Sequence, residues 1–432
     1  MLSGTRPLLV LTIAVFIGGN SLLAAPAQTP AQTLMSQADA ISKEVARLRA
    51  LPLLRPVVRG VMSKAGIKAR ILKIMKQEYT PAELNAEALG LKRFGLLPKS
   101  TNYLKMMVNL LTDQIAGFYD HREKKLYIAS WMQTGSDMVM AHEIDHALQD
   151  QHFDLATFTD LNRREGDALS ARLALVEGDA IALMLEYQLA LVNQPPPWGN
   201  AMIMAVIGKS MTMGSGALPG IPLVIREGLL FPYTAGLDFV AHFRKHHPWS
   251  KIDAMYKKPP LSTEQIIHPD KYTSYEQPHR VVATVPKAAL QGFKEIVSTV
   301  QGEQGLDLFL RAHGVSRTKA SVAAAGWGGD RMAVYAPASY KGSAPKGTIG
   351  VILTSWDTEN DAMEFYEALE HALPNWSRSP KPSVAGQLLF VYGADRITAQ
   401  RRASSVVIVV APNTHDVSKI ADEIWTSWSV VR

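Results

Sequence analysis

The chain has 432 residues, 47% of them apolar and 19% charged, with a formal charge of +6 and no cysteine. That length exceeds what one hydrophobic core serves and predicts two domains, and the composition excludes a disordered chain. Without cysteine there is no disulfide and no acylated lipoprotein, and the basic residues are scattered, with no nucleic-acid motif or aromatic-basic stripe, so no nucleic-acid partner is expected.

Residues 1–27 read as a secretory signal peptide. Arg6 supplies the positive end, and LLVLTIAVFI (8–17) is an apolar stretch too short to span a bilayer. GGNS (18–21) ends that run, and Ala25-Pro26-Ala27 gives the small-x-small pattern before a cut at Gln28. The expected location is periplasmic or extracellular, with no transmembrane segment left after cleavage.

Beyond the linker, ADAISKEVARLRAL (38–51) has helical spacing. Thr80-Pro81-Ala82-Glu83 is a capping pattern that opens a second helix, and 101–118 reads as a third. FYDHREKKLYIAS (118–130) holds two β-prone runs around a charged turn and predicts a hairpin. Ser136 or Asp137 caps a helix running to about Gln151. Residues 169–192 are helical and apolar on nearly all sides, hence buried. The methionines at 202, 204, 211 and 213 read as core filler rather than a mobile surface. From Pro286 the order changes to strand, strand, helix, twice over: RMAVYAP, TIGVILTSW, 358–373, then QLLFVYG, SSVVIVVAP, 414–428. The fold expected is therefore α+β: a mainly helical domain with a small sheet over 28–285, then a smaller two-layer ββαββα domain over 286–432.

AHEIDHALQDQHFDL (141–155) carries the chemistry. On a helix, His142 and His146 are about 40° apart around the axis, one above the other, so both imidazoles reach one ion. Glu143 sits one residue round and can take a proton from a water on that ion, the physical content of H-E-x-x-H. Zinc is the expected cofactor and a peptide or protein the expected substrate. A catalytic zinc needs a third protein ligand and an open position. His152 has the spacing of the metzincin pattern, but Gln149 stands where that pattern has glycine, and on a straight helix His152 lands about 80° off His142. Glu165 and Glu177 each open an EGDA tetrapeptide. Glu165 follows Asn162-Arg163-Arg164, an exposed setting. Glu177 lies within ALALVEGDAIALML, where an unpaired carboxylate is expensive and a metal would relieve the cost. Glu177 is therefore preferred, and Gly178 beside it suits close approach of the two helices.

HEIDHALQDQHFDL followed by LVEGDA resembles the zincin metallopeptidases of the gluzincin type, and more narrowly a group of secreted bacterial proteins predicted to be metalloproteases. The resemblance extends to AGFYDHREKKLYI, LLFPYTAGLDFV, PPLSTEQIIHPDKY and GWGGDR, and so spans most of the mature chain. It implies a zincin-like domain over 28–285, with His142, His146 and Glu177 as zinc ligands and Glu143 as general base. Thermolysin-like enzymes place an aspartate four residues after the ligand glutamate to support a zinc histidine. Here that position is Ile181, so that support is unassigned. In zincins the strand before the active helix is an edge that peptide substrates join, which LYIAS (126–130) would supply. His268, with Tyr272 and Tyr233 behind it, is the candidate to steady the oxyanion. The competing reading is a non-catalytic zincin-fold scaffold of the cell envelope, with the C-terminal domain doing the recognition.

Overall fold

The structure, a computed structural model, describes residues 12–15, 31–131, 136–215, 220–286, 288–342, 344–377, 383–384 and 387–432. The expected cut after Ala27 and most of the signal peptide lie outside them. In chain order the first part runs β1 (Thr12–Val15), α1 (Ala31–Arg49), β2 (Val58–Met62), α2 (Lys64–Glu78), α3 (Pro81–Arg93), α4 (Tyr103–Gln114), β3 (Ile115–Asp120), β4 (Lys125–Ala129), α5 (Ser136–Phe153), α6 (Leu155–Phe158), α7 (Gly166–Ala190), α8 (Ala201–Ser215), α9 (Leu223–Arg244), α10 (Trp249–Lys257), α11 (Thr263–Ile267) and α12 (Pro269–Ser274). The second part runs β5 (Arg280–Val282), β6 (Phe293–Thr299), α13 (Gly302–Ala312), α14 (Arg317–Ala324), β7 (Trp327–Pro337), β8 (Ile349–Trp356), α15 (Glu359–Ser377), β9 (Ser383–Val384), β10 (Gln387–Tyr392), β11 (Asp395–Arg402), β12 (Ser405–Pro412), α16 (Val417–Ser427) and β13 (Ser429–Val431). The class is α+β. No described helix is long and apolar enough to cross a membrane.

Local chemistry sets most boundaries. Thr80 and Glu83 close a full capping box on α3, with Pro81 in its first turn. Thr358 and Asp361 cap α15 in the same reciprocal way. The helix expected over 101–118 stops at Gln114, because Ile115 begins β3. The hairpin turn that follows is built on Asp120, whose Oδ1 accepts the backbone N–H groups of Arg122 and Glu123, and on Lys124 at φ 52°. Met204 and Met211 pack on the core as filler, while Met202 is 78% exposed. Met213 falls where no side chain is described.

The small sheet has the order β1-β3-β4-β2. β4 pairs with β3 antiparallel and with β2 in parallel, so 126–130 is an interior strand and not the substrate edge expected from the sequence. The edges are β1, which lies antiparallel on β3, and β2. α5 packs against this sheet, α7 against α5, and α9 against α7. The α7–α9 contact is backbone to backbone. A Cβ on Gly178 would meet the Gly236 carbonyl at 2.2 Å, and one on Gly236 would meet the Ala174 oxygen at 2.1 Å. Gly178 thus brings in α9 rather than α5, the partner expected for it.

The large sheet is antiparallel throughout, in the order β6-β7-β8-β12-β11-β10-β9. The expected strand pair QLLFVYG and SSVVIVVAP is separated by β11, whose polar sequence DRITAQRR hides a strand with buried Ile397, Thr398, Ala399 and Gln400. The two-layer expectation fails as well. Val406, Ile408 and Val410 face α15, while Val407, Val409 and Ala411 face α16, so helices cover both faces. Nor is the join near residue 285 a gap between cores. Leu89 and Phe94, from the end of α3, are buried in the same cluster as the sheet and α15.

Candidate metal centre

Every residue of α5 from Val139 to Asp150 is buried, including six polar ones: His142, Glu143, Asp145, His146, Gln149 and Asp150. A buried helix with no wet face must find a partner for each polar group. For Asp150 these are the Tyr119 hydroxyl at 2.8 Å and Lys124 Nζ. The partner that the two histidines share comes from α7.

The His142 and His146 rings meet edge to face, with Nε2 to Nε2 at 3.0 Å. Glu177 Oε2 stands 3.3 Å from each of those nitrogens. An ion held tetrahedrally at about 2.0–2.1 Å has ligand atoms about 3.3–3.4 Å apart, so this triangle is close to the size zinc requires. Around it, Tyr233 of α9 stacks on His142 with ring centroids 6.4 Å apart.

The tautomer of His146 follows from its neighbour. Gln149 Nε2 donates to Asp145 Oδ2 at 2.9 Å and to the Val176 carbonyl at 3.0 Å, so its amide nitrogen is committed. Gln149 Oε1 therefore faces His146 Nδ1, at 2.9 Å, as an acceptor. The Nδ1 carries the proton and Nε2 is the nitrogen left to bind an ion. Gln149 is thus the support that the sequence left unassigned, and it occupies the position where the metzincin pattern would have glycine.

Deeper still, Arg49 of α1 joins four elements. It forks onto Asp179 at 2.8 and 2.9 Å, reaches Asp253 at 2.7 Å and Asp145 at 3.8 Å, and lies over the Trp249 ring. The Tyr256 hydroxyl donates to Asp179 at 2.9 Å. This network fixes α5 against α7, and removing one partner from such a buried pair typically costs about 3–5 kcal/mol.

The electrostatics of the triad point to a cation. Burial lowers the pKa of His142, and the adjacent His146 lowers it further. Burial also pulls His146 down, but the Glu177 and Glu143 carboxylates outweigh it and hold that imidazole up at about 9. Glu177 is raised by burial, yet His146 and His142 keep it below the usual carboxylate range. Two ring nitrogens and a carboxylate oxygen in this triangle repel one another unless a proton or a metal sits among them.

The other candidates lie elsewhere. His152 Nε2 is on the Pro52 carbonyl at 2.8 Å, and Glu165 is paired with Arg331 at 3.4 Å. His268 pairs with Glu303 at 3.0 Å, beside α13. Tyr272 donates to the Lys258 carbonyl. Of the three residues expected to steady an oxyanion, only Tyr233 touches the triad. A second acidic group, Glu264, Glu276 and Asp357, already encloses the Lys271 ammonium at 2.7, 2.8 and 2.6 Å.

Comparison with known proteins reaches only the second part of the chain. A family described as a domain of unknown function (DUF8575) matches residues 290–421, which hold all seven strands of the large sheet and none of the triad. No curated protein matches the chain, and no solved structure does.

Proposed function

We propose that the chain is an exported zinc-dependent metallopeptidase with a zincin-like domain over 28–285. The observation that carries this reading is the triangle of His142 Nε2, His146 Nε2 and Glu177 Oε2, two corners of which stand on α5 with Glu143 and the third on α7. When bound, zinc would acidify a water from a pKa of about 15.7 towards 7 and polarise a carbonyl. Glu143 then takes the proton of the attacking water and returns it to the leaving amine. Gln149 holds His146 in the ligating tautomer, and Tyr233 fixes the plane of His142. Cleavage after Ala27 would release β1, which pairs with β3 and packs on α5, and would leave the β3 edge open to an extended peptide beside the site.

One observation favours a second reading. His142, Glu143, His146 and Glu177 are all buried. A closed ion of this kind suits a structural metal that ties α5 to α7 in a scaffold protein. Glu143 separates the two readings. In the mature protein, Glu143→Gln should keep zinc and fold and slow hydrolysis of an unfolded protein substrate by about 10²–10⁴-fold, since a neutral amide takes no proton. Cleavage at the wild-type rate would exclude Glu143 as base. A wild-type protein that holds zinc and cleaves nothing in a broad peptide library would favour the scaffold.

A further inference from the structure

Ten residues before Glu177, and so about 15 Å along the helix, the start of α7 borders a partly open pocket. The cavity measures about 230 Å³ and lies where α3, α4, α7 and α9 meet β6, β7 and α13. Its wall is mostly apolar, with Leu91, Met107, Leu173, Leu229, Val297 and Met332 among the lining residues. An apolar cavity of about 150 Å³ takes up benzene, so this one has room for a ring or short chain with a polar end.

Its charge is one-sided. Glu87 and Asp167 line it, and among the described residues no lysine, arginine or histidine does. Both oxygens of Asp167 accept from Thr263. Glu87 is half satisfied. Its Oε1 takes the Tyr103 hydroxyl at 2.7 Å, while its buried Oε2 has no hydrogen-bond partner among the described residues. A buried carboxylate oxygen without a partner is costly, and a cation or hydrogen-bond donor entering the cavity would relieve that cost.

We infer that this cavity binds a small primary amine with an apolar body, its ammonium received by Glu87 Oε2. Shape and charge both select the class. The apolar wall accepts an aromatic ring or a short alkyl chain, and the absence of any lining cation excludes an anionic head. Burial pushes the Glu87 carboxyl up to about 7, which a bound ammonium would reverse. The site is independent of the metal triad and does not rest on the peptidase reading.

The test is calorimetric titration of the mature full chain at about pH 8, above the raised carboxyl range, with 2-phenylethylamine and hexylamine as probes. The controls are 3-phenylpropionate and 2-phenylethanol. Both amines should bind saturably and the carboxylate should not. Glu87→Gln should weaken the amines by about tenfold or more, the scale of a lost charged hydrogen bond, and leave the alcohol little changed. Gly228→Leu guards against misfolding of the first variant. Gly228 lines the cavity, and a Cβ there meets nothing within 4 Å, so the larger side chain fills the cavity without a clash at its root and should abolish amine binding. Melting curves check that both variants fold. The proposal is overturned if neither amine binds at millimolar concentration, if the carboxylate binds as well as the amines, or if Gly228→Leu or folded Glu87→Gln binds amines like the wild type.

Discussion

Among the described residues, two groups of side chains bring three ligand-type atoms within reach of one point. In one, Glu264, Glu276 and Asp357 surround Lys271 Nζ at 2.6–2.8 Å. In the other, His142, His146 and Glu177 face one another, with no lysine or arginine among their hydrogen-bond and ion-pair partners in the described residues. Glu276 and Asp357 are exposed, whereas all three members of the second group are buried. The contrast separates two uses of clustered acids. Where the chain supplies its own ammonium, the cluster is an ion pair. Where two imidazole nitrogens meet a buried carboxylate with no lysine or arginine beside them among the described residues, the cation is a protonated imidazole or an ion from outside.

The largest expected difference between the groups is metal content. Glu177→Ala should reduce bound zinc to background after mild purification, and Glu264→Ala should leave the wild-type amount. Metal analysis of the two variants side by side breaks the comparison if they behave alike.

A smaller effect probes what stands behind the ligands. Gln149→Leu removes the acceptor on His146 Nδ1 and should weaken zinc binding by about 10–100-fold in competition with a chelating dye. An unchanged affinity would mean that the Gln149 contact does not set the tautomer. The smallest effect belongs to the lysine-filled cluster. Glu276→Gln removes a carboxylate whose side chain is 41% exposed, and should shift stability by less than about 1 kcal/mol in denaturant unfolding. A large loss there would show that Lys271 depends on all three acids.

The sequence carried the two histidines and Glu177 because each has a local signature: a four-residue spacing on a helix, and a carboxylate inside an apolar run. It did not carry Gln149, although a signal existed. HEIDHALQDQ has no consistently polar face, so the whole helix had to be buried and each polar residue partnered. The Arg49–Asp179 fork was out of reach, because it joins residues 130 apart in sequence and nothing local marks the pair. In the second part, SVVIVVAP was legible as a strand. Its unbroken apolar run also meant burial on both faces, which a two-layer reading overlooked. β11 was hidden by polar residues whose partners are tertiary, as when Trp425 Nε1 donates to buried Gln400.

The most direct test of the central claim is anomalous diffraction at the zinc edge from crystals of the mature protein grown with stoichiometric zinc. One strong peak is expected inside the triangle of His142 Nε2, His146 Nε2 and Glu177 Oε2, and none beside Lys271. A peak that takes His152 or Glu165 as the third ligand, or no peak at the triangle at all, would contradict it.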